Sequence, residues 1–204
     1  MRRRTFLGLL AWLALAQGAN AADAAEPIAA LNQALLTVMK AGSATPFPRR
    51  YEMLAPTVER VFDLPSILRT SVGPRWAALG SQEQADLTEV FRRFTVASYV
   101  ASFATYSGER FEVLPDSHAG AGGEIVGTRI VPASGNPVRI DYVLRQVGDD
   151  WKVEDVLLNG SISRVAIQRS DFRGLLGAAP NASGLIASLQ RKVADLSGGT
   201  LSAG

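Results

Sequence analysis

The 204-residue chain has no cysteine and a single histidine, His118. Without cysteine there is no disulfide framework, thiolate metal site or cysteine nucleophile. One histidine cannot build a multi-histidine zinc or iron centre. Long apolar runs are also missing. The stretch from Phe6 to Ala16 falls short of the roughly 20 residues that cross a bilayer, and no later segment is more apolar. Strong charge of one sign is missing too. The formal charge is +2, but residues 1–21 carry Arg2, Arg3 and Arg4 and no acid. Taking those three from the 21 basic residues leaves 18 against 19 acidic ones, a charge of −1. No basic stretch is interleaved with aromatics, so nothing here predicts a nucleic-acid platform.

What is present is apolar material. The chain is 47% hydrophobic and 20% charged, enough to bury a core. The three arginines, the apolar run and Ala19-Asn20-Ala21 have the order of a cleavable export signal. Arg3-Arg4-Thr5-Phe6-Leu7 also fits a twin-arginine signal, so both that route and the general secretory route stay open. The expected organisation is a signal at 1–21, one domain at 22–197 and a flexible tail at 198–204.

Apolar spacing predicts helices at 27–41 and from Thr45-Pro46 toward Phe62, the latter interrupted at Pro56. A short helix follows at 64–72, closed by Gly73-Pro74. The longest is expected from Ser81, with Ser81 and Gln84 as a capping box, to about Tyr106. Its apolar positions include Leu87, Val90, Phe91 and Phe94, with Tyr99, Phe103 and Tyr106 on a second stripe. After Gly108 the period changes to two. Four strands are expected around Phe111, Val126–Ile130, Val138–Leu144 and Trp151–Leu157, with 120–123 a flexible loop and Gly148-Asp149-Asp150 a hairpin turn. Two closing helices follow at 161–176 and 182–196, Asn181 capping the second. The fold class is α+β: helices on one face of a curved, mostly antiparallel four-stranded sheet, enclosing an apolar cavity.

Catalytic groupings are scarce. Asp116-Ser117-His118 are adjacent, so their side chains diverge and form no relay. Gly120 to Gly123 lacks the lysine and helix of a phosphate loop. Asp141 alternates with Ile140 and Tyr142 and belongs on the polar face. Arginine outnumbers lysine 15 to 3 beyond residue 21, which suits phosphate contact and equally a solvated surface. No catalytic residue, metal or cofactor is expected. The apolar abundance fits three readings: a lipid carrier, a small cavity enzyme of the isomerase or hydrolase kind, or an adaptor with a filled core.

Several segments, taken in order, carry a resemblance. They are Phe62-Asp63, Val72-Gly73-Pro74-Arg75-Trp76, Tyr106-Ser107-Gly108-Glu109 and Tyr142. They continue with Trp151-Lys152-Val153-Glu154-Asp155-Val156, Asn159-Gly160-Ser161, Arg169-Ser170-Asp171-Phe172 and Leu185-Ile186-Ala187-Ser188-Leu189. Over residues 26–196 the chain resembles the MlaC, or toluene-tolerance, family of periplasmic phospholipid-binding proteins. Gly160-Ser161-Ile162-Ser163 with Val165-Ala166 resembles its hopanoid-associated HpnM branch. The resemblance implies a periplasmic carrier of phospholipid or hopanoid that maintains outer-membrane lipid asymmetry. Its partners would be an inner-membrane ABC transporter complex and an outer-membrane lipoprotein complex. For the cavity wall the expected residues are Trp76, Phe91, Phe94, Tyr99 and Phe103, and from the strands Phe111, Val126, Ile130, Val138, Ile140 and Tyr142. Trp151 is a candidate for closing an end. Arg92, Arg93 and Arg169 are candidates for headgroup or partner contact.

Overall fold

A computed structural model of the chain describes residues 11–120, 122–176 and 181–201, with side chains from Asp23 onward. Part of the expected export signal, residues 1–10, lies outside the described residues, as does the tail beyond Leu201.

Helix α1 (Ala11–Ala41) begins well before the expected residue 27. Alanine dominates its first half and has the highest helix propensity. Pro27 lies inside it, which leaves the Asp23 carbonyl without its intrahelical donor. Ala24, Ile28, Leu31, Leu35 and Val38 are buried at helical spacing. Helix α2 (Phe47–Val61) extends almost to Phe62 as expected and passes through Pro56 without the expected interruption. Pro56 and Glu52, whose carbonyl loses its donor, are both exposed, so water replaces the missing bond.

Helix α3 (Leu64–Val72) starts where the Asp63 carboxylate accepts the Ser66 N–H at 3.1 Å. It stops at Gly73, whose φ of +69° favours glycine. A 3₁₀ turn (Gly73–Ala78) leads to α4 (Ser81–Ser102). The start of α4 differs from the expected Ser81–Gln84 box. Glu83 accepts the Gly80 N–H at 3.1 Å, while Gln84 Nε2 donates back to the Trp76 and Leu79 carbonyls at 2.9 and 3.2 Å. The helix also ends at Ser102, not near Tyr106. Tyr106 is 41% exposed, beneath the Lys40 ammonium, and offers no burial to extend the helix.

The sheet has six strands where four were expected: β1 (Arg110–Val113), β2 (His118–Gly120), β3 (Gly123–Val131), β4 (Val138–Val147), β5 (Asp150–Leu158) and β6 (Ile162–Ser163). Its order is β1-β3-β4-β5-β6, with β2 also on β3, and every pair is antiparallel. The sheet is open. The two extra strands are too short to show a period. The expected loop at 120–123 is the β2–β3 hairpin, in which Gly120 pairs with Gly123; Ala121 lies outside the described residues. A side chain at Gly123 would meet the Leu144 carbonyl oxygen at 1.9 Å. Helices α5 (Arg164–Leu176) and α6 (Ser183–Leu196) follow. Asn181 Oδ1 accepts from the Ser183 N–H and hydroxyl, and Glu83 accepts the Ala182 N–H.

The helices cover one face of the sheet. Val126, Tyr142, Leu144 and Val153 join Leu31, Leu54, Leu87 and Leu189 in one buried cluster. Each fully buried leucine is worth about 1.5–3 kcal/mol in transfer from water. The other face carries ion pairs, among them Arg139 with Asp116 at 2.8 Å and Asp141 at 2.9 Å. Asp141 thus lies opposite Tyr142 as expected of its alternation, although it is buried there.

Candidate functional site

Between α4, the end of the sheet, α3 and the start of α5 there is a half-open cleft of about 280 Å³. It is a cleft and not the enclosed cavity that the sequence predicted. Helix α4 supplies one wall. Phe91, Phe94 or Thr95, Ser98 or Tyr99, and Ser102 or Phe103 recur at intervals of three and four, which places them on one side of a helix. The sheet supplies the other wall through two cross-strand pairs, Ile140 with Leu158 and Tyr142 with Val156. Leu64 and Ile67 of α3 and Val165 of α5 make the floor.

The wall is aromatic and continuous. Phe62, Tyr99 and Phe103 follow one another with ring centroids 5.5 and 6.1 Å apart, and Phe111 packs behind Phe103 at 5.8 Å, off the cleft. Phe91, at the deep end, meets Phe172 edge-on at 6.2 Å. Burial pushes the Tyr142 phenol above its ordinary range. Burial does the same to Tyr99, reinforced by the neighbouring Tyr142 and opposed by Arg164.

Of the expected wall residues, Phe91, Phe94, Tyr99, Phe103, Ile140 and Tyr142 come together on this cleft. Trp76, Phe111, Val126, Ile130 and Val138 are not among its lining residues. Trp76 packs on the core beside the start of α4. Val126 is fully buried, Phe111 packs on Phe103, and Ile130 and Val138 pair at the strand ends. Trp151 lies away from it, in a polar depression with Asp23, Glu26, Asp149 and Asp150.

The arginine candidates also lie elsewhere. Arg92 pairs with Glu59 at 2.5 Å and Glu89 at 2.6 Å. Arg93 is not a lining residue. The Arg169 guanidinium packs over Gly73, 3.5 Å from where a Cβ would stand. The cationic side chain on the cleft is Arg164. Arg164 and Arg169 are five residues apart on one helix, about 140° around its axis, so they do not share a face.

Chemically, the cleft offers apolar surface and a few polar groups. Its carboxylate, Asp155, accepts from the Ser163 hydroxyl, the Val165 N–H at 3.1 Å and its own neighbour Val156 N–H at 2.7 Å. It is engaged as the cap of α5. His118 is exposed on β2, with Nδ1 2.9 Å from the Asp116 carbonyl oxygen. Among the described residues no group of acidic and histidine side chains could hold a metal, and no helix is long and apolar enough to cross a membrane.

The fold and site define an α+β protein with an apolar ligand cleft between a helical layer and an antiparallel sheet. The family described as MlaC protein matches residues 29–191. The chain belongs to the MlaC family. Its fold is similar to that of a phospholipid-binding protein from Ralstonia solanacearum, solved in complex with a phospholipid. The two share a TM-score of 0.71 at 17% identity, over 85% of this chain and 98% of that one. No curated protein matches the chain.

Proposed function

We propose that the chain binds a phospholipid, with acyl chain in the cleft and headgroup outside. It would carry that lipid across the periplasm between an inner-membrane ABC transporter complex and an outer-membrane lipoprotein complex. The supporting observation is the wall: Phe91, Phe94, Phe103, Ile140, Val156 and Leu158 turned onto one half-open space. Each methylene moved out of water gains about 0.8 kcal/mol. Two chains of about fifteen methylenes therefore resist release into water by on the order of 24 kcal/mol. A carrier must offer a comparably apolar surface, and transfer must occur while it is docked. The polar groups that could act as acid or base here are capped or buried, which favours binding over turnover.

The test is mass spectrometry of lipids extracted from the purified protein. Stoichiometric phospholipid supports the proposal. Protein that is lipid-free and takes no lipid from liposomes overturns it in favour of an adaptor. Recovery of hopanoid would keep the carrier and replace its cargo.

A further inference from the structure

Of the five asparagines, only Asn159 is followed by glycine. Among the described residues Asn159 is also the one non-glycine with a positive φ, +51°, and Gly160 follows at +74°. Two successive positive φ values are what a tight hairpin turn of the Asn-Gly kind requires. This turn joins β5 to β6 and sets Ile162 opposite Leu158, a residue of the cleft wall. Asn159 is exposed. Its N–H donates to the Arg139 carbonyl at 3.0 Å, and the Ser161 N–H donates to the Leu158 carbonyl at 3.2 Å. The Gly160 N–H between them has no acceptor among the described residues.

A free backbone nitrogen next to an exposed carboxamide has a reaction open to it. The Gly160 nitrogen gives up its proton and bonds to Asn159 Cγ, closing a succinimide ring. The bond from Cγ to the side-chain nitrogen breaks, and that nitrogen leaves as ammonia with the proton. Water then opens the ring at either carbonyl. One opening leaves aspartate, and the other leaves isoaspartate, whose main chain runs through Cγ. Water enters, ammonia leaves, and nothing is oxidised or reduced. Glycine has no Cβ to shield the attacking nitrogen. The other asparagines each lack a condition. Asn20 and Asn32 lie within α1. Asn136 precedes Pro137, which has no N–H. Asn181 Oδ1 accepts from Ser183, and the Ala182 N–H is held by Glu83.

We propose that Asn159-Gly160 is a site of spontaneous deamidation, and that its isoaspartate form loosens β6 and the start of α5 beside the cleft. The proposal holds whatever the cleft binds. Isoaspartate lengthens the main chain by one methylene, about 1.5 Å. The turn cannot take up that length inward, because a Cβ at Gly160 would stand 3.3 Å from Asp141 Oδ2 and 3.4 Å from Arg139 Cδ. The added length passes to Ile162 and Ser163 instead. Asp155 holds both the Ser163 hydroxyl and the Val165 N–H, so a shift there unseats the cap of α5. Arg164 and Val165, which line the cleft, move with it. The product also puts a carboxylate one residue from the contact with buried Asp141, whose partner Arg139 is already shared with Asp116.

In the experiment the purified protein is held folded in warm, mildly alkaline buffer, digested with trypsin and mapped by mass spectrometry. Fragment 153–164 is expected to gain the mass of amide-to-acid conversion before any other fragment that contains asparagine. It should also accept methyl groups from an isoaspartate methyltransferase. Amide hydrogen exchange of the aged protein should run about tenfold faster across 162–166, the scale of one or two lost hydrogen bonds, with α4 unchanged. Asn159→Gly keeps the positive φ and has no amide to lose, so it should age without either change. If Asn159→Gly does not fold, fresh against aged wild type carries the same comparison. A synthetic peptide of residues 153–164 supplies the clock. If the peptide converts while the same fragment of the folded protein does not, the turn is closed to the reaction and the proposal fails. Conversion that leaves exchange across 162–166 unchanged overturns it as well, and so does equal loosening of aged Asn159→Gly.

Discussion

A chain-length series of single-chain lysophospholipids reads the depth of the cleft directly. At roughly 30 Å³ per group of water's size, a cleft of about 280 Å³ accommodates about nine methylenes. Each methylene buried gains about 0.8 kcal/mol, close to a fourfold change in affinity. Titration calorimetry below the micelle threshold, from hexanoyl to myristoyl chains, should therefore show affinity rising about fourfold per methylene. With rigid walls the rise stops near the ninth methylene, and a rise that continues measures how far the walls part. Ser98→Trp sharpens the test. Ser98 lines the cleft and its hydroxyl is bonded only to its own helix, so the indole fills space without orphaning a backbone group. It should move the break to shorter chains and lower the highest affinity reached. Affinity independent of chain length, or a Ser98→Trp protein that binds as wild type does, would refute the acyl-cleft reasoning.

Four further outcomes are expected. Gly123→Ala should disrupt the β3–β4 ladder and abolish cooperative thermal unfolding, because its Cβ would lie 1.9 Å from the Leu144 carbonyl oxygen; a melting curve like wild type's would show that the hairpin moves freely. Tyr51, Tyr99 and Tyr142 are all held above the ordinary tyrosine range, chiefly by burial. Below about pH 10 both folded and unfolded chains keep these protons. Above it the unfolded chain releases them first, so stability falls with rising pH, and Tyr99→Phe/Tyr142→Phe should flatten that fall in alkaline denaturation curves. Protein recovered from a periplasmic fraction should begin at Ala22 by N-terminal sequencing. Truncation to residue 30 should cost at least about 2–5 kcal/mol in chemical denaturation, since it removes the fully buried Ile28.

The elements whose signal is local were legible in the sequence. Helix α3 lies between Asp63, which caps it, and Gly73, which adopts a positive φ, and both bounds appear in the residue order. The long strands β3 and β4 show their alternation because one face is buried and the other ion-paired. What failed was decided by tertiary contact. Pro56 does not interrupt α2, because its missing bond falls on the solvent side. The start of α4 is capped from Glu83, one residue from the expected Gln84, because Gln84 is drawn back to the Trp76 and Leu79 carbonyls. Strands β2 and β6, at three and two residues, are too brief for any period and exist by pairing with longer neighbours.

The site was legible on α4 and only partly elsewhere, and the reason is physical. Periodicity reports which side of an element turns inward, not whether the space it faces is filled. Val126 and Tyr142 share a face and pair across β3 and β4, yet Val126 is packed solid and Tyr142 borders the cleft. The distinction lies in partial exposure among neighbours that are fully buried. Phe94, Tyr99, Phe103 and Ile140 keep some exposed surface, while Leu87, Val96 and Val100 of the same helix keep none. An apolar side chain left partly open beside a closed core forgoes about 25 cal/mol for each Å² not covered. A ligand that covers several of them at once recovers that loss. It also stabilises the fold in proportion to the logarithm of its concentration over its dissociation constant. Arg164 went unnoticed for a related reason. Its value depends on facing the end of the cleft, and the start of α5 that places it there is set by Asp155, on the preceding long strand, accepting the Val165 N–H.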